Sequence, residues 1–118
     1  MDYGIETLIS LDGLEYTYEN GYWYRIEANM VAQTKERPHG LRYNLTFHNK
    51  YNKRIFGMDN AHGIKPGKKF QGRLITYDHL HKDAADQGSH YEFDTAEKLL
   101  EDFFKHIDKV LGAIKWKH

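Results

Sequence analysis

From Leu41 to His48 apolar and polar side chains alternate without a break, with Leu41, Tyr43, Leu45 and Phe47 on one side and Arg42, Asn44, Thr46 and His48 on the other. A period of two marks a strand with one buried face and one wetted face. Such a strand needs partners beside it and a cover over its apolar side. Both are written nearby. Tyr22 to about Val31 repeats the pattern, with Tyr22, Tyr24, Ile26, Ala28 and Met30 apolar and Trp23, Arg25, Glu27 and Asn29 opposite. Glu15 to Glu19 puts Tyr16 and Tyr18 on one face, and Asn20-Gly21 predicts a tight hairpin with both turn residues at positive φ. Ile5 to Leu11 reads as a short strand ending at Asp12-Gly13, Arg54 to Met58 as another, and Arg73 to His81 as a further one.

The cover comes last in the chain. Ala96, Leu99, Leu100, Phe103, Ile107, Val110, Leu111 and Ile114 recur on one helical face, with Lys98, Glu101, Asp102, Lys105, Asp108 and Lys109 around the remainder. Asp94 is the expected N-cap, with Glu97 three residues on. The expected fold class is therefore α+β: an antiparallel meander of about five strands with one long C-terminal amphipathic helix on its apolar face. Its 118 residues suit a single domain over 1–118, with the sheet at 5–81, the helix at 94–115 and loops at 32–40, 59–72 and 82–92.

Composition excludes several classes. The absence of cysteine removes disulfides, Cys-based zinc sites and thiol nucleophiles. No apolar run reaches the ~20 residues of a membrane span. Met1-Asp2-Tyr3-Gly4 lacks the features of a signal peptide, so a soluble cytoplasmic protein, with no membrane partner, is expected. P-loop, dinucleotide, serine-hydrolase and H-E-x-x-H signatures are missing.

What remains is charge placement and histidine. Seventeen basic and seventeen acidic side chains cancel, but unevenly. Residues 50–73 hold Lys50, Lys53, Arg54, Lys65, Lys68, Lys69 and Arg73 against Asp59 alone, a distribution able to present a positive patch to phosphate or simply a solvated loop. The polar side of the sheet is expected to display Arg25, Arg42 and His48, with Arg54 on the neighbouring strand; cross-strand pairing of Arg25 or Arg42 with Glu15 or Glu27 is the alternative. Met58-Asp59-Asn60-Ala61-His62-Gly63 leaves a strand and reads as a turn or a ligand-facing loop. In an extended Tyr77-Asp78-His79-Leu80-His81, both imidazoles share a face about 6.5–7 Å apart. They suit a zinc-like ion with Asp59 or His62, an acid–base pair on a ribose 2′-OH and a departing 5′-oxygen, or nothing beyond surface.

The order of these features resembles the TumE-like toxin family of bacterial toxin–antitoxin systems: the Leu41-Arg42-Tyr43-Asn44-Leu45 strand, a second strand with Arg54, Asp59-Asn60-Ala61-His62, the His79-x-His81 pair and the capped helix. The likeness runs over roughly residues 20–112 and is most specific at the Asp-Asn-Ala-His and His-x-His motifs. Here His62-Gly63 follows where the family pattern has a proline and a paired histidine. The resemblance implies a growth-blocking component acting on RNA and encoded beside a helix-turn-helix antitoxin. It would be a metal-independent ribonuclease without cofactor. His79 or His81 would remove the 2′-OH proton, His62 or the other histidine would protonate the leaving oxygen, and Asp59 would orient a histidine. Arg42 and Arg54 would stabilise phosphoryl charge, and Trp23 or Tyr22 would stack a base. The competing class is a non-catalytic module that docks RNA or a protein through the same face, and the amphipathic helix offers a route to a homodimer.

Overall fold

Each alternating segment becomes a strand, and each strand pairs with the next in sequence. The computed structural model describes residues 4–33, 40–60, 70–76 and 89–115. β1 (Leu14–Thr17), β2 (Trp23–Met30), β3 (Leu41–His48), β4 (Arg54–Asp59), β5 (Phe70–Thr76) and β6 (Ser89–Phe93) form one antiparallel sheet in that order. Register aligns the apolar positions in rows, Ile26–Leu45–Met58–Leu74 and Tyr24–Phe47–Phe56. Over these rows lies α2 (Ala96–Lys115). Its Leu99, Phe103 and Ile107 are fully buried, each worth about 1.5–3 kcal/mol of transfer free energy. Phe103 meets Tyr24 and Phe56 edge-on at ring distances of 6.0 and 5.6 Å. The apolar stripe of α2 is thus occupied by the sheet. No helix among the described residues is long and apolar enough to cross a membrane.

The structure corrects four local expectations. Ile5–Ser10 is a short helix, α1, not a strand. Ile5, Leu8 and Ile9 fall at helical spacing, and only Leu8 is buried, in the core beside α2. The sheet has six strands rather than about five. It runs from Leu14 to Phe93 instead of 5–81, because Phe70–Leu74 pairs with Ser89–Phe93, and loops were expected up to residue 72 and over 82–92. Those short, polar stretches become strands only through their long-range partner.

The β1–β2 turn differs as well. The Gly21 N–H donates to Tyr18 O (2.9 Å) and the Tyr18 N–H to Tyr22 O (2.7 Å), which gives a three-residue turn with only Gly21 at positive φ, 90°. Asn20 is free to use its Oδ1 as acceptor for the Tyr22 N–H at 3.0 Å. Asn49–Lys53 folds the same way, with Asn52 at φ 65° in the position Gly21 holds. The two turns abut, and a Cβ on Gly21 would lie 2.8 Å from that of Lys50. Finally, α2 is capped by Thr95, not Asp94: Thr95 Oγ1 accepts the Lys98 N–H at 3.2 Å. The capping pattern is displaced by one residue, which puts Lys98 rather than Glu97 at the third helical position.

Candidate nucleic-acid interface

The face away from α2 carries the polar half of every alternating strand. Its rows across the sheet are Trp23–His48–Arg54, then Glu15–Arg25–Thr46–Gly57–Ile75, then Glu27–Asn44–Asp59–Arg73, then Asn29–Arg42. Thr46 and Ile75 are buried at 7% and 6% exposure, so over β3 to β5 the second row separates two polar patches, which Glu15 and Arg25 join along the β1–β2 edge. Arg42 and His48 are six residues apart on β3, about 20 Å at strand rise.

At one end, a β-bulge between Phe47 and His48 shifts the register by one residue. Plain alternation would turn Arg54 to the side of Phe56; the bulge brings it opposite His48 instead. The His48 ring lies flat on Trp23, 3.9 Å between centroids and 6° between planes. The Trp23 indole N–H donates to Asn52 Oδ1 at 2.9 Å, and His48 Nε2 shares a hydrogen bond with Thr46 Oγ1 at 2.9 Å. Burial lowers the His48 pKa below its ordinary value, Arg54 lowers it further, and the Asn52 backbone and Glu15 only partly oppose them. The imidazole is therefore neutral near pH 7. Beside this stack, Lys50 sits 5.3 Å from the ring of Tyr51, which is 77% exposed.

At the other end is a shallow pocket of about 230 Å³ lined by Glu27, Asn29, Arg42, Tyr43, Asn44 and Asp59. Its carboxylates are already held. Arg25 donates from Nε to Glu27 Oε1 at 2.7 Å and from a terminal nitrogen to Glu15 Oε1 at 2.6 Å. Arg73 Nε donates to Asp59 Oδ1 at 3.0 Å, with both side chains mostly buried. Arg42, in contrast, is exposed and has no ion-pair partner among the described residues. Behind the pocket, Asn60 acts as an extra rung of the sheet: its Oδ1 accepts the Tyr43 N–H (3.0 Å) and its Nδ2 donates to Leu41 O (2.7 Å).

The sequence-derived site residues therefore separate. Arg25 is engaged by two carboxylates, Arg54 and His48 sit by Trp23, and Arg42 and Asp59 line the pocket. Arg42 and Arg54 lie too far apart along the strands to grip one phosphate. His62, His79, His81, Lys68 and Lys69 lie outside the described residues. No group of three His, Asp or Glu side chains that could hold a metal occurs among the described residues. Sequence reasoning missed the Arg73–Asp59 pair, the Asn60 clasp, and Glu27, Asn29 and Asn44 as pocket residues. All three depend on register across strands, and alternation within a strand carries no register signal.

In comparison with known proteins, the family model described as toxin TumE matches residues 5–111. No curated protein and no solved structure matches significantly.

Proposed function

Because this chain belongs to the TumE toxin family, the toxin component of toxin–antitoxin systems, we propose that it acts on RNA through the polar face of its sheet. The observation that carries this reading is the Trp23–His48 stack beside Arg54, an aromatic platform next to a cation on the face that α2 leaves bare. Single-stranded RNA is bound by such pairs, since every base has a π-face and every linkage a phosphate. A neutral His48 keeps the platform uncharged beside Arg54. With RNA as its substrate, the cytoplasm is its proposed location.

The reaction we propose is metal-independent cleavage. His79 or His81 takes the 2′-OH proton, the 2′-oxygen attacks phosphorus, and the bond to the 5′-oxygen breaks as His62 or the second histidine protonates it. This leaves a cyclic phosphate and a 5′-hydroxyl. Arg54 contacts a phosphate of the strand, and Arg42, about 20 Å away along β3, contacts the same strand at another nucleotide. The antitoxin partner is proposed to be a helix-turn-helix protein that covers the same face.

The test is incubation of purified protein with total RNA in EDTA. Cleavage that disappears in His79→Ala and His81→Ala, with RNA affinity retained, supports the enzyme. RNA left intact at high protein concentration refutes it. The second reading, a non-catalytic binding module, rests on the stacking of His48 against Trp23, an arrangement suited to holding a base rather than moving a proton. It expects affinity to fall in Arg42→Ala and Arg54→Ala, with no cleavage by any variant.

A further inference from the structure

Arg42 stands in a pocket with two carboxylates and pairs with neither. Glu27 is its diagonal neighbour across β2 and β3, since Glu27 opposes Asn44 and Asn29 opposes Arg42. Diagonal positions are about 7–8 Å apart, within reach of two long side chains, and an ion pair there would be ordinary. Instead Arg25 holds Glu27 Oε1 along the same strand, and Glu15 holds Arg25 in turn. Glu27 Oε2 and the side-chain amides of Asn29 and Asn44 also make no hydrogen bond with any described residue. The result is a polar recess in which Glu27 keeps one oxygen to accept with and Arg42 a forked donor, the two held apart.

A phosphate would meet Arg42 but also two carboxylates. A ligand with donors on one edge and acceptors on the next fits both groups at once. Guanine has that pattern: N1–H and the N2 amine on the Watson–Crick edge, O6 and N7 on the Hoogsteen edge. We propose that this pocket is a guanine-reading subsite for single-stranded RNA. Glu27 accepts from N1–H and N2–H, Arg42 donates to O6 and N7, and Arg25 is the positioning residue that keeps Glu27 away from Arg42. The inference rests on the RNA-acting reading above and adds base preference to it. The subsite lies about 20 Å along β3 from Trp23, so the guanine is read several nucleotides from the stacked base.

The experiment measures binding rather than cleavage, by fluorescence anisotropy with 2′-O-methyl oligouridine carrying one central G, A or C. The G oligonucleotide is expected to bind about tenfold tighter than the others, the scale of one bidentate base contact. Replacing G by inosine, which lacks the N2 amine, or by 7-deazaguanine removes part of that gain without touching the protein. Glu27→Gln and Arg25→Gln should abolish the preference while affinity for plain oligouridine stays within about twofold, and circular dichroism checks that both variants fold. Equal affinity for all oligonucleotides, with RNA still bound, overturns the guanine subsite and leaves the RNA reading standing. Failure to bind any RNA overturns both.

Discussion

Gly72 on β5 faces Tyr43 of β3 across the end of β4, and the space between them is fully used. A Cβ built on Gly72 would lie 1.9 Å from Tyr43 Oη, 2.9 Å from its Cζ and 2.6 Å from the Asp59 carbonyl oxygen. Tyr43 is 2% exposed, and its hydroxyl is buried without a hydrogen-bond partner among the described residues. In Gly72→Ala the hydroxyl would have to retreat by about 1.1 Å (3.0 less 1.9) merely to reach the shortest tolerated contact. The Asp59 carbonyl cannot yield in the same way, because Asp59 is paired with Arg73 in the β4–β5 ladder. Overpacking of this kind costs typically 1–3 kcal/mol, and the backbone contact raises the expected loss to about 3–5 kcal/mol. That is a large part of the 5–15 kcal/mol typical of a domain.

Tyr43→Phe alone should be neutral or stabilising by up to about 1 kcal/mol, since it deletes an unpaired buried hydroxyl and opens only a small void. In the double variant the 1.9 Å contact disappears but those to the ring and to Asp59 remain. Rescue should therefore be partial, with a coupling of about 1–2 kcal/mol. Urea denaturation of wild type, both single variants and the double variant measures all four corners of the cycle. A loss below about 1 kcal/mol in Gly72→Ala, or strictly additive effects, would show that the Tyr43 hydroxyl does not sit against this glycine.

Three other perturbations test other parts of the structure. Asn60→Ala strips the partners of the Tyr43 N–H and the Leu41 carbonyl in a buried setting, and a loss of about 2–4 kcal/mol is expected by chemical denaturation; an effect within experimental error would mean the side chain is not a rung of the sheet. His48 has a folded pKa below its ordinary value, so the folded chain binds fewer protons than the unfolded one. Its contribution is complete above about pH 6.5 and declines as pH falls through the lowered folded value. The melting temperature of the wild type should therefore drop more between about pH 7.5 and 5 than that of His48→Asn, and equal drops would contradict the burial argument. Thr95→Ala should cost about 1 kcal/mol through loss of the α2 cap, whereas Asp94→Ala should cost less; the reverse order would return the cap to Asp94.

The elements legible in sequence are those whose signal is local and long. β2, β3 and α2 each carry eight or more residues of unbroken periodicity, and their buried faces are the ones the pattern marks, except that Met30 at the end of β2 is exposed and Thr46 on the polar side of β3 is buried. α1 was not legible because six residues hold less than two helical turns, too few to separate a helix from an apolar run. β6 was hidden because Tyr91 and Phe93 alone mark its inward face. Of the candidate site, the polar set Arg25, Glu27, Asn29, Arg42 and His48 could be read directly from alternation. Which of these side chains are held and which are left open could not.

The sequence by itself determined the two-layer arrangement and the family, since hydrophobic periodicity and ordered motifs are properties of the chain in one dimension. Only the tertiary structure decided that Arg25 holds Glu27, that Arg73 holds Asp59, that a bulge delivers Arg54 to His48, and that Arg42 is left facing a pocket. The physical reason is register. A ladder can slide by two residues and preserve every buried face, yet each slide exchanges every cross-strand neighbour, and ion pairs and stacked rings are made between neighbours.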